Sequence, residues 1–422
     1  MVGGSSDVSA VIIGMFLGGM SIGYRAGGQQ VDAPIKRFGN NLLLCGLIGG
    51  IGLSSVTLEV FFQTFLQLGN SRSWTLALYA TTVIAPVAFF IGQSLPLLLQ
   101  KIQNGDTTAE RGGNALSVST IGSLAGAIVP VIFFMPHIGA TLSLALICTI
   151  CLVLGGILTR KTLSPILCSL GLLVALLPYF APVVPNSKSF TSTAYADIYL
   201  VDDGDGLLMH ANGLDMSTQD YKGNNSSAYL ASFHHSLKQQ EVKDKQILVL
   251  GAGGFMAHVN APGNNHFTYV DIDSALASWA EKYFHFDPST AKVVVDDARS
   301  YLLGQADHQW PVIFMDTFGS RYAMPEHLMT VEFFQLVEQK LTKDGLLYIN
   351  AVIDPQFDTD FSRRFHATLQ YVFPYCQVVQ VTDGGKVANV NYLCFPGRKS
   401  DKIYRDDKHS VSADVWQARK QF

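Results

Sequence analysis

Four aspartates stand at the ends of successive short apolar runs, downstream of a glycine-rich turn. The run "ILVLGAGGF" carries Gly251, Gly253 and Gly254; "YVDID" ends in Asp271 and Asp273, "VVDDARSYL" holds Asp297, and "IFMDTF" holds Asp316. Glycines that close a strand let a ligand approach the backbone, and a carboxylate roughly 20 residues further on can accept both hydroxyls of a ribose. Asp297, with neighbouring backbone, could take an adenine amino group, and Asp316 lies where an adenosyl sulfur group would point. A second reading makes these aspartates caps of the helices that follow, a role Asp fills well.

Such carboxylates converge only if the runs are strands of one sheet. From Gln246 onward, "QILVLGAGG", "FTYVDID", "AKVVVDDA", "PVIFMDTF" and "GLLYINAV" alternate with helical stretches such as "SALASWAEKYF" and "TVEFFQLVEQKL". That is the pattern of a parallel, doubly wound α/β sheet. The runs "CQVVQV" and "NYLCFP" flank "TDGGKVAN" and read as an antiparallel hairpin. A parallel sheet finished by a hairpin is the outline of the class I methyltransferase-like, Rossmann-like fold, whose ligands bind at the carboxyl ends of the strands. Cys376 and Cys394 lie on the two hairpin strands at nearly equal distances from the turn, so they should face each other and be able to bridge. A bridge there would mark an oxidising compartment.

The chain of 422 residues is 48% hydrophobic and only 15% charged, too apolar for an ordinary soluble protein. The 29 Lys and Arg nearly balance the 33 Asp and Glu, so nothing points to a nucleic-acid partner. Long uncharged runs crowd the first part, and a bilayer crossing needs roughly 20 residues. Spans are expected at 8–24, 42–66, 74–99, 115–136, 138–158 and 163–184, the fourth and fifth forming a tight hairpin at "PHIGA". This gives an α-helical transmembrane region at 1–186, an α/β domain at 187–400 and a polar tail at 401–422. Gly14 with Gly18, Gly19 with Gly23, and Gly122 with Gly126 are spaced for close helix approach, and Pro86, Pro96 and Pro130 imply kinks. Glu59 is an ionisable residue within a span, where a carboxylate usually faces a partner or a wet cavity. Arg25, Lys36, Arg37, Lys101, Arg111, Arg160 and Lys161 fall in alternate loops that should be cytoplasmic, which places the α/β domain on the outer side.

These motifs resemble the spermidine synthases (polyamine aminopropyltransferases), in particular their membrane-fused bacterial branch. "FLGGMSIGYRAG" and "NALSVSTIGSLAGAIVPVIFFMPHIG" are similar to that branch's membrane segments, and "TSTAYADIYLVDDGDGLLMHANG" resembles the small N-terminal β-hairpin region of the synthase domain. The branch usually begins with one more apolar helix upstream of the segment that opens this chain. The resemblance implies a multi-pass inner-membrane protein, decarboxylated S-adenosylmethionine or S-adenosylmethionine as co-substrate, and a small polyamine as acceptor. It assigns ribose to Asp271, adenine to Asp297 and the catalytic carboxylate to Asp316. The acceptor side departs from the family: an acidic residue is replaced by Gly254 and another by Gly319, a glutamine by Met216, and Tyr-His-Glu reads Tyr229, Leu230, Ala231. Asp215, Asp220 and Glu326 are candidates to substitute, and Tyr195 and Tyr229 to line the acceptor cleft or to pack the core.

Aminopropyl transfer is a displacement at the methylene next to a sulfonium, so Asp316 would take the acceptor's proton as general base. The alternative is a catalytically divergent domain that serves as a membrane binding or assembly module, and a transporter whose second half senses polyamines is a third. No zinc signature, Ser-His-Asp arrangement or phosphate P-loop is present, and adjacent His234 and His235 point to different faces, so no metal is expected. Related soluble synthases commonly form dimers, so the expected partners, beyond the lipid bilayer, are a second copy or another membrane protein.

Overall fold

The structure is a computed structural model and describes residues 6–69, 72–100, 108–160, 176, 184, 186–211, 214–317, 325–380 and 388–395. Its first part is helical: α1 (Ser6–Gly27), α2 (Pro34–Gly52), α3 (Ser55–Gln67), α4 (Arg72–Tyr79), α5 (Ala85–Gly92), α6 (Ser94–Leu99), α7 (Thr108–Val129) and α8 (Met135–Thr159). Among the described residues, three continuous helical stretches are long and apolar enough to cross a membrane: Val8–Gly27, Ser73–Leu99 and Gly112–Thr159. A fourth arises if α2 and the start of α3, bent by 60°, count as one broken span. The sixth expected span lies almost wholly outside the described residues, as do the tail and the side chain of Glu59. π-helical turns at Ala80–Ile84 and Pro130–Phe134 take up the backbone beside Pro86 and Pro136, where the missing proline N–H would otherwise orphan a carbonyl.

The tight hairpin expected at "PHIGA" is not formed. Residues 112–159 form one helical stretch interrupted at Gly139 (φ 75°, ψ 169°), and α7 does not pack along α8. A single left-handed glycine bends a helix without supplying the several non-helical residues a reversal needs. Of the three glycine pairs, Gly19 and Gly23 meet α5 at Ala85, Ala88, Phe89 and Gly92, whereas Gly14, Gly18, Gly122 and Gly126 have no neighbour within 4 Å.

The second part opens with β1 (Ser187–Ser192), β2 (Asp197–Asp202), β3 (Gly206–Ala211) and β4 (Leu214–Asp220), a four-stranded antiparallel meander. It is larger than a hairpin because both faces find apolar cover. Phe190, Tyr199 and Val201 cluster on one side, and Ile198, Leu200, Met209 and Ala211 join the core beneath the other.

After α9 (Ala228–Gln239) come β5 (Gln246–Leu250), β6 (His266–Asp271), α10 (Leu276–Tyr283), β7 (Lys292–Val295), α11 (Ala298–Leu303), β8 (Trp310–Met315), α12 (Val331–Lys340), β9 (Leu341–Ile353), α13 (Asp360–Val372), β10 (Tyr375–Gln380) and β11 (Ala388–Phe395). The seven strands form one sheet in the order β10-β11-β9-β8-β5-β6-β7, parallel from β9 to β7 and antiparallel at β9, β11 and β10. Its central strands are buried on both faces, as the continuous apolar runs require. Cys376 pairs with Cys394 across the β10–β11 ladder and the two are bonded, with Cα atoms 3.9 Å apart.

The helical part meets the α/β part through backbone. Ala140 donates its N–H to the Thr193 carbonyl (3.1 Å) and Thr141 its N–H to the Ser192 hydroxyl (3.2 Å). A Cβ at Gly139 would overlap the Ser192 carbonyl, so this docking needs glycine.

Candidate active site

Strands β5, β6, β7 and β8 end side by side, and their tips build the cleft. Gly251 leaves β5 with φ +90°, and a side chain there would overlap the Asp316 carbonyl at the end of β8. Glycine is therefore what lets the first turn pass the tip of its neighbour. The Ala252 N–H then donates to Asp271 Oδ2 (2.7 Å) and the Asp273 N–H to Asp271 Oδ1 (2.9 Å). Each carboxylate oxygen keeps lone-pair capacity beyond one N–H, so Asp271 is held rigid and can still accept a ligand hydroxyl. Burial pushes its carboxyl above the usual range, partly offset by those backbone donors.

A cleft of about 420 Å³ is lined by Gly251, Gly253, Asp271, Asp273, Asp296, Asp297, Asp316 and Thr317 on the side of the strand tips. Tyr195, Ala196, Met209, Ala211 and Met216 of the meander region form the opposite wall, with Ile272, Leu276, Pro325, His327 and Leu328 at the margin. The expected residues Gly251, Gly253, Asp271, Asp297, Asp316 and Tyr195 thus share one hollow. Gly254 does not reach it. Its N–H donates to the Ser217 hydroxyl (2.9 Å) and its Cα packs against Phe284, so it faces a separate, smaller hollow beside Gln219 and Phe286.

Asp297 does two things at once. Oδ1 caps α11 by accepting the Ser300 N–H (2.9 Å), the role the capping alternative foresaw, while Oδ2 meets His327 Nε2 at 2.8 Å. Burial works against its charge, but the Ser300 N–H and the His327 ring outweigh it and hold the carboxyl below the usual range. Asp273 is spoken for differently: it accepts from the Thr193 hydroxyl (2.6 Å) and the Ala275 N–H (3.0 Å).

Asp316 sits at the base of the cleft. Asn350 on β9 donates to its Oδ1 (2.9 Å), and the Tyr229 hydroxyl is a second partner. Burial raises its carboxyl to about 6, with Asn350 and Tyr229 pulling the other way. Tyr229 is itself buried, with its hydroxyl 3.3 Å from the Met216 carbonyl, and burial and the Asp316 charge push it well above the ordinary phenol range. A carboxylate with a value near 6 is charged at neutral pH and still basic enough to take a proton.

Asp215 is turned away: it pairs with His210 Nδ1 (2.8 Å) on the exposed face of the β3–β4 ladder. Asp220 organises the turn at Lys222 and Asn224. Neither it nor Glu326 lines the cleft, and Gly319 lies outside the described residues. The chain reading missed Asn350, His327 and Thr193. Asn350 had a signal, an amide in the otherwise apolar run "LLYINAV" next to the residue paired with Met315; His327 and Thr193 had none. Among the described residues, no three His, Cys, Asp or Glu come together to hold a metal ion.

Residues 227–382 match the family described as the spermine/spermidine synthase domain. The chain is 36% identical over 114 residues to a polyamine aminopropyltransferase of Vibrio vulnificus, a match spanning 26% of this chain and 38% of that enzyme's length. It is 24% identical over 405 residues to polyamine aminopropyltransferase 1 of Streptomyces coelicolor, covering 83% of this chain and 70% of the relative. Among solved structures it is similar to a probable spermidine synthase from Corynebacterium glutamicum, with 21% identity, a TM-score of 0.42, and coverage of 56% of this chain and 87% of the other. The part of the chain that builds the strand tips of the cleft is thus the part similar to the spermine/spermidine synthase domain.

Proposed function

We propose that this chain is a membrane-anchored aminopropyltransferase. It takes the three-carbon amine of decarboxylated S-adenosylmethionine, or the equivalent group of a related adenosyl sulfonium, and transfers it to an amine. The carrying observation is the placement of Asp316, fixed by Asn350 and Tyr229 at the base of the hollow that also holds Asp271 and Asp297. Asp271 would hold the ribose hydroxyls and Asp297 the adenine. The donor's sulfonium methylene would then lie over Asp316. The acceptor nitrogen's lone pair forms a C–N bond as the C–S bond breaks, the electron pair leaves on sulfur as a neutral thioether, and Asp316 takes the ammonium proton. Holding both reactants in line supplies much of the rate gain.

The first 160 residues, with the stretch 163–184, serve in this reading as the anchor of an inner-membrane protein, and residues 187–400 as the catalytic domain. Ala140 touches Thr193 at the start of α8, so the synthase domain sits at that end, while Arg160 and Lys161 lie at or just beyond the other. Basic loops favour the cytoplasmic side, which favours an outward-facing domain, and the Cys376–Cys394 bridge suits that side.

The test is incubation of the purified full chain with decarboxylated S-adenosylmethionine and an amine. Methylthioadenosine and an aminopropylated amine are expected, and a folded sample giving neither refutes the proposal. A binding module without chemistry would bind methylthioadenosine by calorimetry and yield no product.

A further inference from the structure

Among the described residues, the wall facing Asp316 carries no second anion. Tyr195, Ala196, Met209, Ala211 and Met216 make up that wall, and the Met216 carbonyl lies against the Tyr229 hydroxyl that partners Asp316. Among the described residues, the other carboxylates of the hollow are Asp271, Asp273, Asp296 and Asp297, at or just beyond the tips of β6 and β7. None of the acids of the meander lines the hollow. Asp197 is buried against Thr141 and raised by that burial, Asp202 bonds the Tyr221 hydroxyl and Lys188, and Asp215 pairs with His210. From Thr317 to Pro325 the sequence reads "TFGSRYAMP", with one cation and no anion.

A linear diamine bound with one nitrogen at Asp316 would therefore press its distal ammonium against methionine and alanine side chains. Desolvating an ammonium without a paired anion is strongly unfavourable, whereas a hydrocarbon in the same place gains from burial. Methionine is also the side chain best able to mould itself to an alkyl chain of variable shape.

We infer that the acceptor is a primary amine with a hydrocarbon tail, and that its single nitrogen is the nucleophile. The inference rests on the aminopropyltransferase reading. The amine lone pair forms the new C–N bond, the sulfonium C–S bond breaks with its electrons on sulfur, and one proton passes to Asp316. With n-pentylamine the products are N-pentylpropane-1,3-diamine and methylthioadenosine.

The decisive comparison is n-pentylamine against 1,4-diaminobutane, which differ only by a methyl in place of the distal amine. The full chain in detergent, with decarboxylated S-adenosylmethionine, should show kcat/KM at least about tenfold higher for n-pentylamine, read as methylthioadenosine release and product mass. M216E, which puts a carboxylate on the wall, should shift that ratio at least about tenfold toward 1,4-diaminobutane. Equal or better use of 1,4-diaminobutane by the unaltered chain overturns the inference and leaves the transferase reading standing. Methylthioadenosine release with neither amine, from a sample that still binds methylthioadenosine, overturns both.

Discussion

Replacing Asp316 by Asn should stabilise the protein while removing its chemistry, and the structure sets the size of the effect. The Asp316 carboxyl titrates near 6 in the fold against an ordinary value of 3.8. A raised carboxylate favours the protonated fold, so its stability contribution is complete below 3.8 and is lost as pH climbs through about 6. At 1.36 kcal/mol per pH unit, the charged carboxylate costs the native state about 3 kcal/mol at pH 8 and about 1 kcal/mol at pH 4.5. D316N removes that cost, and the amide oxygen it introduces still accepts from Asn350. Denaturant unfolding of the full chain in detergent, followed through the buried Trp279 and Trp310, should show the variant more stable by about 3 kcal/mol at pH 8 and by roughly 2 kcal/mol less at pH 4.5. Activity should fall by about two to four orders of magnitude, as loss of a general base implies. In the unaltered chain, on the proposed transferase reading, kcat/KM should rise with pH and level off above about 6. A variant no more stable than its parent at pH 8, or an advantage independent of pH, would refute the burial argument.

Asp271→Asn keeps the shape of the strand tip but weakens acceptance of two ribose hydroxyls, so calorimetry should find methylthioadenosine bound roughly tenfold to a hundredfold more weakly. Thr193→Val removes the hydroxyl that Asp273 accepts from; the KM for the donor should rise about tenfold with kcat nearly unchanged, and an unchanged KM would uncouple that contact from the cleft. The double substitution Cys376→Ser with Cys394→Ser opens a link between residues 18 apart and should cost about 2–4 kcal/mol in denaturant unfolding. The same loss should follow dithiothreitol treatment of the unaltered chain.

The α/β half was readable because its signals are local. Apolar runs of strand length ending in Gly or Asp fix which strands exist and where their tips lie, and the cysteines flanking "TDGGKVAN" fix a register that the β10–β11 ladder reproduces. Residues that act across the fold were not readable in this way. His327 reaches Asp297 from 30 positions away and Thr193 reaches Asp273 from 80 away, and no periodicity records such distances. Asp215 misled for the opposite reason: its neighbourhood in sequence is right, but its place on the strand turns it to the outer face toward His210. In the helical half, composition finds apolar stretches well and turns badly, since "PHIGA" carries the turn-forming residues of a reversal while the chain stays helical around Gly139.

In the membrane-anchored reading proposed above, the seam at Gly139, Ala140 and Thr141 would give lipid a mechanical hold on the cleft. Ser192 and Thr193 are clasped by the first turn after that glycine, and Thr193 in turn grips Asp273, whose own N–H braces Asp271. If α8 spans a bilayer, one thicker or thinner than its apolar length would change its tilt. The tilt would drag the clasped residues with it, making acyl-chain length a control on donor affinity.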